Sequence, residues 1–188
     1  MAELILEPTA LAQWQALVQE AQAECEQRLD ETLESYLVFL LMRFAREPHC
    51  TARIMASDFM AASRLRGEER IDRLRSVGDH CLLFSGLFPH IAERRLVRVS
   101  YFVRIGQTSY RQLADALDHG WARVYGHLSE AFTLLMDVLH AMRGLGGTPL
   151  LTPIQALELW QDTGSRRSYR QLSADGRVVP LRGRSGAH

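Results

Sequence analysis

Apolar residues recur along this chain at intervals of three and four, so the pattern is helical almost from end to end. The first stretch opens at Pro8-Thr9, where Thr9 is placed to cap. Leu11, Trp14, Val18, Ala21, Cys25, Leu29, Thr32 and Tyr36 then share one face. Nothing interrupts that spacing before Glu47-Pro48, because the residue ahead of a proline is kept out of the helical region. A single element of that length would span about 55 Å at 1.5 Å per residue, so the expectation is a long N-terminal helix, either straight or kinked near Asp30. Its second half, LESYLVFLLMRF, is apolar nearly all round, which marks residues 33–44 as the centre of a bundle.

Shorter elements follow. Thr51 or Ser57 caps a helix that Gly67 closes, and Glu68 and Glu69 occupy the first turn of the next. There Ile71, Leu74, Gly78, Cys81, Ser85 and Phe88 keep a heptad-like spacing; the three small members bring another helix close to that seam. Pro89 ends this helix or starts a short one through Arg95, and RLVRVS reads as a brief extended link. A helix from about Tyr101 to Asp118 turns Phe102, Ile105, Ser109, Leu113 and Ala116 inward. Trp121 to Met142 is the clearest amphipathic helix, with Trp121, Val124, Leu128, Phe132, Leu135, Leu139 and Met142 on its inner face.

After a flexible loop at 144–149, Thr152-Pro153-Ile154-Gln155 supplies a cap, a proline at the first helical position and a glutamine at the third. That helix, anchored by Leu157 and Trp160, stops at Gly164. Beyond it, YRQLSADGRVVPL sets an Asp-Gly turn between short alternating runs, the signal of a hairpin, with an arm that orders on binding as the alternative. The expected fold is all-α: a single-domain helical bundle of about five to seven helices over residues 1–163, then a basic C-terminal tail over 164–188.

Composition agrees with a packed domain. The 188 residues are 47% hydrophobic and 23% charged, and a chain of this size buries roughly 70% of its unfolded surface without a disulfide or metal staple. The longest wholly apolar run, Tyr36 to Met42, falls far short of the roughly 18 residues a membrane span needs. MAELILEP carries no basic stretch ahead of an apolar core, so a cytoplasmic location is expected. Cys25, Cys50 and Cys81 are scattered, which suits buried thiols in a reducing compartment rather than a disulfide frame or a zinc knuckle.

Charge changes the picture more. Every basic residue is an arginine, as a GC-rich bacterial genome would favour. Residues 1–60 hold ten acids and four arginines, whereas residues 164–188 hold one acid and six arginines, so a formal net charge of zero conceals an acidic start and a basic end. The absence of lysine excludes a Schiff base, a P-loop lysine and a Ser-Lys dyad. No glycine-rich phosphate loop and no Gly-x-Ser-x-Gly occurs either.

Four groups of residues could carry chemistry. Asp137-x-x-His140, continued by His127 and Glu130, resembles the carboxylate–imidazole spacing of di-iron bundles. It stands on one helix only, and its stripe centres opposite the inner face, so it reads as a solvated surface and no metal or cofactor is assigned. Asp79-His80 lies at an apolar boundary, where an imidazole beside an acid titrates near neutrality or serves as a core histidine with one hydrogen bond. Glu34 sits between Val38 and Leu41, and a buried carboxylate there needs a partner such as Arg43 or Arg104. The third group is YFVRIGQTSYRQL, where Gly106 and Ser109 lie near the packing seam and Tyr101 and Tyr110 can place hydroxyls. Such a pattern more often means tight helix packing than a phosphate cradle. Tyr101 joins Glu34, Asp79 and His80 as the candidates for a ligand pocket.

The fourth group is Arg166, Arg167, Tyr169 and Arg170 in the tail. Arginines around an aromatic can hold nucleic-acid phosphate and stack on bases, or they can lie against the acidic first helix. No residue is assigned a catalytic role. The reading that follows is a non-enzymatic cytoplasmic regulatory or adaptor protein acting on another protein or a second copy of itself, with no membrane partner. A ligand-binding or catalytic bundle around Glu34, Asp79 and His80 is the second reading, and nucleic-acid binding through the arginine tail the third.

Overall fold

A computed structural model describes residues 9–46, 55–62, 64–90, 97–145 and 150–174. Among the described residues there are nine helices and no strand: α1 (Ala10–Glu24), α2 (Glu31–Arg46), α3 (Met55–Ala62), α4 (Gly67–Leu87), α5 (Val99–Ala116), α6 (His119–Glu130), α7 (Phe132–Gly144), α8 (Pro153–Thr163) and α9 (Arg166–Ala174). The all-helical class matches the periodicity, and the count exceeds the expected five to seven because two long patterns are each cut in two and the start of the tail forms a helix of its own. No helix among the described residues is long and apolar enough to cross a membrane.

The first cut falls at residues 25–30, where the N-terminal pattern turns back on itself instead of kinking. Glu26 adopts a left-handed backbone, φ +50°, which ends α1. Buried Gln22 then stitches the turn: its backbone carbonyl accepts from the Gln27 N–H at 3.0 Å and its side-chain oxygen from the Leu29 N–H at 2.6 Å. Asp30 starts a fresh helix by accepting from the Leu33 N–H at 2.9 Å. A polar side chain one turn before a helix end can satisfy orphan amides as well as a cap can, and periodicity does not register it.

The second cut is at Ala131, a single turn residue between α6 and α7. It re-aims the two halves. Trp121, expected inside, is 63% exposed, while Leu128, Phe132, Leu135 and Leu139 are buried as expected. Residues 33–44 are not the centre either. Leu33, Leu37, Val38, Leu40 and Leu41 are buried, but Phe39 on the same helix is 61% exposed. The centre is α4, buried from Leu74 through Gly86 on most positions and packed against α3, α5 and α7.

The small-residue seam explains that packing. A Cβ on Gly78 would stand 2.4 Å from the Tyr110 ring of α5. One on Gly106 of α5 would stand 2.4 Å from the Phe132 ring and 2.9 Å from Cys81 Cβ. Glycine at these positions lets helix backbones and aromatic rings meet at distances no side chain would allow. Val99 and Ser100, assigned to an extended link by their β-branching, instead form the first turn of α5.

α8 is built as its sequence states. Thr152 and Gln155 cap each other through 3.4 Å and 2.8 Å hydrogen bonds, Pro153 opens the helix, and Gly164 at φ +72° ends it. The tail departs from expectation. Tyr169 to Leu172, read as the first strand of a hairpin, lie within helix α9; the Asp175-Gly176 turn lies outside the described residues.

Candidate functional site

Buried Asp79 of α4 is the hub of a polar cluster that joins three helices. Its Oδ1 accepts the hydroxyls of Tyr36 from α2, at 2.5 Å, and of Tyr110 from α5, at 2.7 Å; its Oδ2 accepts from the Arg43 guanidinium of α2. The carboxylate is 2% exposed and therefore needs such partners. Three helices are tied at one pair of oxygens. Gly78, one residue earlier, is what lets the Tyr110 ring lie against α4 closely enough for its hydroxyl to reach.

The rings form a second layer. Tyr36, Tyr110 and Tyr125 of α6 meet pairwise with centroids 5.9–6.2 Å apart, and Trp121 stacks on Tyr125 at 6.2 Å and 31°. Burial, and then the Asp79 charge, push the Tyr36 and Tyr110 hydroxyls well above their ordinary pKa. Burial also raises Tyr125, against the opposing pull of the nearby Arg75 guanidinium. For Arg43 the loss of solvent works against the charge, but the adjoining carboxylate of Asp79 more than restores it. At neutral pH every tyrosine of the cluster keeps its proton and Arg43 keeps its charge.

This cluster floors a cleft of about 550 Å³. Tyr36, Phe39, Leu40 and Arg43 line it from α2, Arg75 and Asp79 from α4, and Leu117, Trp121 and Tyr125 from the opposite rim. Phe39 and Trp121 are the most exposed rings there, on two different helices. A smaller hollow of about 270 Å³ shares Leu40, Arg43, Arg75 and Asp79 and reaches His80 on its far side.

The expected pocket of Glu34, Asp79, His80 and Tyr101 does not assemble; of the four, only Asp79 lines the cleft. Glu34 turns instead to α1, where its oxygens accept from the amides of Gln22, Gln19 and Gln15 at 2.8, 3.0 and 3.4 Å. Partial burial would raise its pKa, and those three amides bring it below the usual value. Its partners are glutamines, not Arg43 or Arg104. His80 donates from Nδ1 to the Ser76 carbonyl of its own helix at 2.5 Å, the core-histidine outcome. Tyr101 is 42% exposed, packs edge-on to Phe102 and lines neither hollow. Sequence pattern marked Tyr110 as able to place a hydroxyl but missed Tyr36 and Tyr125 as site residues, because aromatic residues at helical spacing are indistinguishable from ordinary core.

A second buried network corrects the stripe on α7. His127 and Glu130 are exposed, and His127 lies 3.2 Å from Asp30, but Asp137 and His140 are only 1% and 2% exposed. Asp137 accepts from Ser165 Oγ at 2.6 Å, from the backbone N–H groups of Arg166 and Arg167 at 3.0 and 3.3 Å, and from Gln27 Nε2 at 3.2 Å. It caps α9 from outside that helix. His140 donates from Nε2 to the Ser85 carbonyl at 2.7 Å; burial lowers its pKa, partly countered by Asp137. α7 is wrapped by α1 and α4 and by the start of α9, so the wheel's outer face is an inner one here. Among the described residues no group of three or more His, Cys, Asp or Glu side chains could hold a metal.

The described part of the tail is held by charge. Arg167 pairs with Glu24, and Arg170 with Glu26 at 3.0 Å, so α9 lies against the acidic end of α1. Arg166 is exposed, and Tyr169 stacks on Trp160 at 5.6 Å. Compared with known protein families, curated proteins and solved structures, the chain matches none.

Proposed function

We propose that this protein is a non-enzymatic binding protein whose working surface is the Asp79 cleft, and that the cleft takes a small planar ligand. The observation that carries this reading is a recess of about 550 Å³ walled by exposed Trp121 and Phe39 over an Asp79 carboxylate that already holds three donors. That volume falls within the roughly 300–1,000 Å³ of small-molecule sites, and the combination of aromatic walls with few fixed polar groups is what such sites use. Binding is favoured over catalysis because Asp79 already accepts three donors, the tyrosines keep their protons, and arginine cannot act as a base.

The adaptor reading applies to the same surface. Phe39 and Trp121 stand 61% and 63% exposed, as anchors for a partner's side chain would. Nucleic-acid binding ranks third, since Arg167 and Arg170 are already engaged by Glu24 and Glu26.

Indole is the simplest planar probe. Titrated into 15N-labelled protein, it is expected to move the Trp121 side-chain N–H resonance saturably while Trp14 and Trp160 stay in place. Trp121→Ala should abolish the saturable shifts of the cleft backbone amides. Absence of any saturable shift in the wild-type protein overturns the ligand reading.

A further inference from the structure

Resting on the ligand reading above, we infer that the cleft selects a planar aromatic monoanion, a carboxylate borne on a ring, through Arg75. The argument begins with a count of charge. Arg43, Arg75 and Asp79 are the ionised groups that line the recess, two cations against one anion. Asp79 is saturated by Tyr36, Tyr110 and Arg43, so its charge answers Arg43, and within the recess Arg75 is left with the neutral Tyr125 hydroxyl as its partner.

Arg75 is poorly matched by its own helix. Its nearest carboxylate oxygen is that of Asp72 at 3.6 Å, beyond an ordinary hydrogen bond, on a side chain 73% exposed to solvent. Its Nε is buried and has no acceptor among the described residues. A buried donor without an acceptor is unfavourable, and arginine cannot escape by losing the proton. The Nε itself is closed to solvent, but the side chain as a whole is 39% exposed, so a carboxylate in the recess would meet the terminal nitrogens of Arg75. A carboxylate suits the planar guanidinium edge, and a single negative charge balances the lining.

The apolar walls supply the rest of the specificity. Trp121 on α6 and Phe39 on α2 offer ring faces, and Tyr125, which Trp121 overlaps, also lines the wall. A flat ring buried among them, with its carboxylate on the terminal nitrogens of Arg75, uses the aromatic walls and the surplus cation together.

Three probes of one shape separate the outcomes: indole-3-acetate, indole and tryptamine, an anion, a neutral ring and a cation, each titrated by calorimetry and by 1H–15N spectra. Indole-3-acetate is expected to bind at least about tenfold more tightly than indole, with tryptamine weaker than both, and to shift the Arg75 Nε–H resonance. Arg75→Met should remove the gap between indole-3-acetate and indole while leaving indole binding in place. Should that variant lose its fold, the Arg75 Nε–H shift in the wild-type protein decides by itself. Equal affinity for the anion and the neutral ring, or an unmoved Arg75 resonance at saturation, overturns the inference while leaving the planar-ligand reading intact. Failure of all three probes to bind overturns both.

Discussion

Replacing Gly78 by alanine should destabilise this protein, although alanine is the better helix former. In an unobstructed helix interior the change stabilises by about 1 kcal/mol. At Gly78 the new Cβ would stand 2.4, 2.6 and 3.0 Å from three carbons of the Tyr110 ring, where carbon pairs are comfortable at roughly 3.5–4.0 Å. The ring must therefore retreat by about 1 Å. It has nowhere to go, being fully buried with the Tyr125 and Phe132 rings each centred 5.9 Å away. Overpacking of this kind costs about 1–3 kcal/mol. The same retreat would draw the Tyr110 hydroxyl from its 2.7 Å bond to Asp79, a hydrogen bond to a charged group, which is about 1.5–3 kcal/mol more.

Offsetting the helix gain, the net loss is about 3 kcal/mol, or a fall in Tm of roughly 6–12 °C for a chain of this length. Gly126 on α6 is the control, since a Cβ there meets nothing within 4 Å; Gly126→Ala should raise Tm by a few degrees, roughly 1–4 °C. Urea unfolding of both variants measures the contrast. A double-mutant cycle with Tyr110→Leu should show a coupling above about 1 kcal/mol, because the smaller side chain makes room. If Gly78→Ala matches or exceeds the wild-type midpoint, or if its cost simply adds to that of Tyr110→Leu, the packing argument is wrong.

Three further outcomes are expected. Asp137→Asn keeps the shape but turns a donor toward groups that all donate to Asp137, so it should cost about 2–3 kcal/mol. Hydrogen exchange should then quicken in residues 166–174 well before α4; uniform quickening would mean that Asp137 is not the cap of α9. His140 is held neutral by burial, while the unfolded chain takes up its proton near pH 6.5, so the unfolded state binds more protons below that pH. Stability is therefore fully present above about pH 6.5 and declines as pH falls beneath it, and His140→Gln should flatten the slope of the urea midpoint between pH 6.5 and 5.5; equal slopes would refute this. Finally, Cys25 and Cys81 are buried with thiol pKa values pushed up by desolvation. A Cys50→Ser variant should thus show no reaction with an aromatic disulfide reagent until denaturant is added, and a stoichiometric native reaction would contradict that burial.

What the sequence by itself determined depends on near neighbours in the chain, although the turn at Gln22 and the break at Ala131, equally local, left no mark in the period. The helical class came from period alone, the boundaries of α8 from Thr152, Pro153, Gln155 and Gly164, and the close seam from Gly78, Cys81 and Ser85, because caps, turns and helix faces are set within a few residues. Charge asymmetry likewise gave the two possibilities for the tail, and Arg167 with Glu24 realises one of them across 143 positions.

Only the tertiary structure decided which faces are inside. The wheel placed Asp137 and His140 on an outer face, correct for an isolated helix, but α9 and Ser85 bring partners that make burial affordable to polar groups. The same reason hid the site. Asp79 was legible beside His80 at an apolar edge and Tyr110 as a hydroxyl bearer, but nothing joined them across 31 positions, and Tyr36, 43 positions away, looked like a core aromatic. A hydrogen bond between distant residues leaves no period in the chain, so the hub, and the cleft above it, exist only once three helices have met.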